Sequence, residues 1–194
     1  MIDATPLLSL AHTALLVMDY QPNVLQRLSD ADSLLAPAAR AVAAGRRRGI
    51  TIGYVHVALT ASEVNAVPPT NKTFARLRES GAMFQSDSPA TAVHERVAPQ
   101  SGDIVVRKTR VGAFSTTDLD NRLRDRGIDT LMLAGVSTSG VVLSTVRDAA
   151  DRDYRLVVLR DLCADADADV HALLMDRVFP RQADVVTSDW LEQA

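Results

Sequence analysis

Six short apolar runs, separated by longer segments of helical character, constrain this chain more than any other feature of its sequence. The runs are Ala14–Met18, Thr51–Val57, Asp103–Val106, Thr130–Ala134, Arg155–Leu159 and Ala183–Thr187. Most are continuously apolar rather than alternating, which is what a strand covered on both faces of a parallel sheet requires. Helices are expected at about Asp32–Arg48, Thr117–Arg126, Ser139–Arg152 and Ala168–Val178. Gly49 and Gly127 stand just past two of them, where a helix ends most readily in a left-handed residue. Asp118 and Asp120 place negative charge at the positive end of the second helix. Alternation of this kind predicts a doubly wound α/β sheet with right-handed crossovers.

The 194 residues suit one domain, 1–194, able to bury a core without disulfides. Aromatic residues are only 4%, so that core must be built from Leu, Val, Ile and Ala. Net charge is −3 with the basic residues dispersed. The densest basic cluster, Arg46-Arg47-Arg48, ends an Ala-rich helical stretch and reads as a solvated helix terminus rather than a nucleic-acid surface. The single cysteine, Cys163, excludes an intrachain disulfide framework and fits a reducing compartment. No apolar run approaches the roughly 20 residues that span a bilayer, and the N-terminus lacks a basic region and a cleavage signature. A cytoplasmic location and no membrane partner are expected. The irregular stretch is Ala58–Gln100, which carries Pro68, Pro69, Pro89 and Pro99. It reads as an insertion with a short helix near Asn71–Glu79, of the kind that borders a site.

In an open α/β sheet, ligands bind outside the carboxyl ends of the strands. Three such ends carry polar groups here. The first run ends in Met18-Asp19-Tyr20-Gln21, the third leads into Arg107-Lys108-Thr109-Arg110, and the fourth ends in Gly135-Val136-Ser137-Thr138-Ser139-Gly140 before a helix. Asp19 alone reads as a helix-cap or turn residue, and Lys108 alone as a solvated lysine. At one sheet edge they can form an acid–ammonium pair suited to proton transfer. The glycine-containing turn presents backbone N–H groups at a helix N-terminus, an anion or oxyanion site. It is neither a Walker loop nor a dinucleotide fingerprint. Composition and spacing lead to a small-molecule site with an acid, a lysine and an anion hole, and no further.

The same three segments resemble the isochorismatase-like (cysteine hydrolase) superfamily. ALLVMDYQ is similar to the strand that ends in the family's catalytic Asp, here Asp19. VVRKTRVGAFS is similar to the run with the catalytic Lys, here Lys108. GVSTSGVV is similar to the segment that ends in the family's nucleophilic cysteine, whose place falls on Val141. The likeness extends over about residues 11–190 in consistent order. It implies a three-layer α/β/α sandwich with a mostly parallel six-stranded sheet, assembled as a homodimer or higher homo-oligomer. It also implies a cis Val136–Ser137 peptide and an anion hole from the backbone of Ser137 and Val141.

Without a thiol at residue 141 no thioester intermediate can form. Isochorismatases proper also lack that cysteine and protonate a vinyl ether with the Asp. The resemblance therefore implies a hydrolase of a small, anionic metabolite, with Asp19 as general acid and Lys108 as its partner. Arg110 and Phe114 are the candidate substrate contacts. No metal is expected, because His56 lies within the second strand and no second histidine follows until His94; no other cofactor is expected. The competing reading is a catalytically silent homologue that binds a small ligand or a protein partner. A serine hydrolase using Ser137 or Ser139 is a third.

Overall fold

The six runs become strands of one sheet in the computed structural model, which describes residues 9–76 and 84–191. They are β1 (Thr13–Met18), β2 (Thr51–Val57), β3 (Ile104–Lys108), β4 (Thr130–Val136), β5 (Arg155–Ala164) and β6 (Asp184–Val186). Their spatial order is β3-β2-β1-β4-β5-β6 and every pairing is parallel. The helices are α1 (Pro22–Leu25), α2 (Asp32–Arg47), α3 (Ala61–Asn65), α4 (Lys72–Ala75), α5 (Leu119–Arg124), α6 (Leu143–Ala150) and α7 (Ala168–Leu173). Among the described residues no helix is long and apolar enough to cross a membrane.

Every residue of β1 and β4 is buried. Successive side chains of a strand point to opposite faces, so these two strands supply two cores at once. Ala14, Leu16, Met18, Leu131 and Leu133 face α5 and α6, while Leu15, Val17, Met132, Ala134 and Val136 face α2. Helices therefore cover both sides, which completes the three-layer sandwich that the alternation and the resemblance predicted. The edge strand β3 instead alternates, with Val105 and Arg107 facing outward. Gly49 and Gly127 do take positive φ, 74° and 66°, in the connections that follow α2 and α5.

Several boundaries differ from expectation: β3 and β4 each run two residues further, to Lys108 and Val136, and β6 is shorter. β5 does not stop at Leu159 but runs on to Ala164, through a register shift opposite Leu133 and Gly135. Arg160 and Asp161 made the apolar run look finished. They stay in the strand because each has a partner: Arg160 pairs with Asp176 at 2.6 Å, and Asp161 accepts from the N–H and hydroxyl of Ser188. Cys163 thus lies within β5 rather than after it. The helix expected from Ser139 begins instead as a π-helical turn, Thr138–Val142, before α6. Of the helix expected near Asn71–Glu79, α4 is present, and residues 77–83 lie outside the described residues.

Candidate active site

The strand order reverses between β1 and β4, and the connections leaving their carboxyl ends part in opposite directions. That is where a crevice opens in a doubly wound sheet. A cavity of about 650 Å³ lies there, and Asp19, Lys108, Ser137 and Val141 all line it. Such a volume suits a small metabolite.

Asp19 follows the last residue of β1 with φ of 57°, the left-handed region. Asp tolerates that region better than most residues, at a cost of roughly 1–3 kcal/mol. Its backbone N–H still bonds the Val55 carbonyl at 2.8 Å, so the strand pairing holds the residue in place as it turns. The side chain is turned inward, and the residue is only 5% exposed. Oδ2 sits 2.8 Å from the Lys108 ammonium, and Oδ1 is buried with no hydrogen-bond partner among the described residues. Burial pushes the Asp19 carboxyl above the ordinary carboxylate range. The Lys108 charge opposes that shift without cancelling it.

Lys108 ends β3 and is 1% exposed. Its Nζ also donates to the carbonyls of Val111 at 2.7 Å and Arg110 at 3.2 Å. An ammonium has three N–H groups, and three acceptors surround this one. The chain after β3 wraps back over the lysine to supply two of them.

The third element is the turn between β4 and α6. The Val136–Ser137 peptide is cis, at the place the resemblance implies. The Val142 N–H bonds the Ser137 carbonyl at 3.3 Å, which closes the π-helical turn. Gly140 packs so closely that a Cβ there would lie 2.7 Å from Ser137 Oγ. The carboxylate of Asp165, from the connection after β5, accepts the Ser139 N–H at 2.7 Å. Val141 is buried in the core cluster beneath α6 and also lines the cavity.

Of the two candidate substrate contacts, neither lines the cavity. Phe114 is 4% exposed inside the core, its ring stacked on Tyr154 at 6.0 Å. It points to the α5/α6 side of the sheet, where it packs in the cluster of Leu119, Leu123 and Val146. Arg110 lies over the Phe74 ring at 5.4 Å and its Nη1 donates to the Thr109 carbonyl. It therefore backs the cavity wall rather than entering the cavity. Besides Lys108, the cations that line the cavity among the described residues are Arg27, Lys72 and Arg76.

Gln21 is a residue whose role the sequence did not disclose. Fully buried, it donates to the carbonyls of Val57 and Thr91 and accepts from the Val57 N–H, tying β1, β2 and the insertion together. A polar side chain directly after a catalytic-type strand end was its only signal. His56 is likewise engaged, with Nδ1 3.0 Å from the Thr91 carbonyl. Among the described residues no three His, Cys, Asp or Glu side chains gather into a metal-sized group. The serine-hydrolase reading finds its nearest histidine at another residue: His171 meets Thr138, which is fully buried and does not line the cavity. Cys163 is buried in β5, with its thiol toward the Leu133 carbonyl and pushed up by burial to about 12. It does not line the cavity that holds Asp19.

The isochorismatase domain family matches residues 13–189. The chain belongs to this family. The isochorismatase family protein YecD of Escherichia coli O157:H7 is 31% identical over 183 residues, covering 89% of this chain and 90% of that protein. A maleamate amidohydrolase of Pseudomonas putida is 37% identical over 100 residues, 52% of this chain and 47% of the relative, so the match spans about half of that enzyme's length. The structure of an isochorismatase family protein from Burkholderia thailandensis superposes with a TM-score of 0.79 at 28% identity, over 95% of each chain. The relatives in the family thus include an amidohydrolase, and the fold of this chain is that of isochorismatase family structures.

Proposed function

We propose that this isochorismatase-family protein hydrolyses a small, anionic metabolite without a cysteine nucleophile, using Asp19 as general acid and Lys108 as its electrostatic partner. One observation carries the reading: a buried carboxyl with one oxygen held by an ammonium and the other unpartnered, on the wall of a metabolite-sized cavity. A general acid must be protonated for part of the working pH range, and a carboxyl raised by burial meets that condition. Protonated Asp19 delivers its proton to the substrate atom that becomes electron-rich. Water adds to the electron-poor carbon left behind, and its proton returns to the Asp19 carboxylate. In the interval Lys108 balances the carboxylate charge. The Ser137 and Val141 backbone supplies N–H groups toward the anionic group of the substrate. Arg27, Lys72 and Arg76, which line the cavity, favour an anionic molecule. The chain's only thiol is Cys163, away from this cavity, and Val141 offers none, so the chemistry proceeds through acid and water. The relative named as a maleamate amidohydrolase supports a hydrolase of small metabolites.

The test is a hydrolysis screen over vinyl ethers, amides and carboxylate esters with wild type and Asp19→Asn. The substitution keeps shape and removes the proton donor. Turnover should drop by about 10²–10⁴-fold, the usual scale for one acid–base group, while substrate affinity changes far less. If every activity found survives Asp19→Asn, the general-acid mechanism is wrong and a ligand-binding role replaces it.

A further inference from the structure

The turn that supplies the anion hole does not hold its shape by itself. Thr138 stands inside it with no solvent exposure, and its Oγ1 lies 2.8 Å from Nδ1 of His171 on α7. Next to it, the Ser139 N–H is held by Asp165, whose other oxygen accepts the Asp167 N–H at 3.3 Å; Asp167 in turn caps α7. Two successive residues of the turn are thus docked on the segment 165–171, one through a carboxylate and one through an imidazole.

The two ties differ chemically. Asp165 accepts from a backbone N–H and does so whenever it is ionised. The imidazole can exchange roles. Neutral, with its proton on Nε2, its Nδ1 accepts from the Thr138 hydroxyl. Protonated, Nδ1 becomes a donor and the threonine must accept. The hydroxyl hydrogen then loses its only acceptor among the described residues, in a place closed to water, and a buried donor without a partner is costly.

We propose that His171 is a positioning residue for the anion-hole turn, acting through its hydrogen bond to the buried Thr138 hydroxyl, so that protonation of His171 shifts the turn out of its working shape. The inference rests on the turn's assigned role, and it adds an acid limb to the activity that Asp19 alone would not give. The groups facing His171 are Thr138 from the turn, Asp165 from the connection after β5, Arg160 from β5 and Asp176 from the π-helical turn after α7; Arg160 and Asp176 pair with each other at 2.6 Å. Burial and Arg160 hold the imidazole below its ordinary value against the two carboxylates, so the neutral form prevails near pH 7, with its proton on Nε2 under this proposal.

The deciding experiment is a pH titration by NMR, following the backbone amides of residues 137–142 and the His171 ring in the full-length protein. In wild type the turn amides should move with the midpoint of the His171 ring. In His171→Asn, whose side-chain oxygen replaces Nδ1 as an acceptor that does not titrate, they should stay still. In Thr138→Val the ring should still titrate while the turn no longer follows. Turn amides that ignore the ring in wild type, or follow it in Thr138→Val, would overturn the proposal. Once a substrate is in hand, His171→Ala should lower kcat by about 10–100-fold through misplacement of the turn, with KM moving by less than about threefold. His171→Asn should restore kcat and abolish the acid limb. A limb that persists in His171→Asn would also refute the idea. Because the NMR arm needs no turnover, it separates this proposal from the general-acid reading, which stands or falls on Asp19→Asn.

Discussion

The cavity is built from two unlike regions. Asp19 and Lys108 sit at the ends of β1 and β3, buried, each tied to backbone that the sheet already fixes. Phe74 and Phe84 come from the insertion, where the short helices α3 and α4 and irregular chain pack a small separate cluster with Val57, Leu59 and Val67. The first region gains its order from long-range strand pairing. The second is ordered mostly by its own few apolar contacts and by caps such as the Thr60–Glu63 capping box. In the proposed mechanism the reacting pair needs placement to a fraction of an ångström, whereas the apolar wall only has to be present and of the right shape. The division of labour follows from how much packing each region can command.

Three measurements can break or sharpen this contrast. The largest effect should come from Lys108→Met, which keeps the apolar stem and leaves Asp19 buried beside no cation. Stability should fall by about 3–5 kcal/mol, the range for removing one partner of a buried pair. Adding Asp19→Asn should recover most of the loss, because the two charges act as one unit. Urea unfolding of the two single variants and the double variant checks it, and simple additivity would deny that the pair is coupled.

Next in size is Phe74→Ala. Its cluster is small and partly open, so the loss should be about 2–3 kcal/mol, under the range for a fully enclosed aromatic residue. Hydrogen exchange should rise in the described part of the insertion and not in β1 or β4, and KM should rise with kcat nearly unchanged. Equal loosening of the central strands would mean that the two regions are not separable.

The smallest effect is a pH dependence of stability. Burial raises the Asp19 carboxyl in the folded protein, so folding favours its protonated form. That contribution is complete below the unfolded value of about 4 and is lost as pH rises through the raised folded value. Wild type should therefore lose thermal stability relative to Asp19→Asn over that window. A difference in Tm that is flat from pH 4 to 8 would show that Lys108 fully offsets the burial.

How much of this was legible in the sequence follows from the same contrast. β1 could be read to within one residue and β4 to within two, because complete burial on both faces leaves an unbroken apolar run. β5 was read short, because a charged pair inside a strand looks like its end until the partners Asp176 and Ser188 are known. Asp19 and Lys108 stood out as charges placed directly against strand ends. The side chains that hold the site together did not. Gln21 reaches a carbonyl 70 residues away, and His171 meets Thr138 across 33 residues; neither separation leaves a local pattern. Phe114 misled because its place near a strand end says nothing about which face of the sheet it enters.

The three acceptors around Lys108 have a consequence for how the site does work. Every N–H of that ammonium is committed when the chain folds, two of them to carbonyls that cannot leave. The lysine has no hydrogen bond left to offer a ligand and no freedom to swing toward one. In the proposed mechanism it delivers a fixed electric field along one direction, present before any substrate arrives and unchanged as Asp19 gives up its proton. The reorganisation that water would have to perform during such a step was completed during folding.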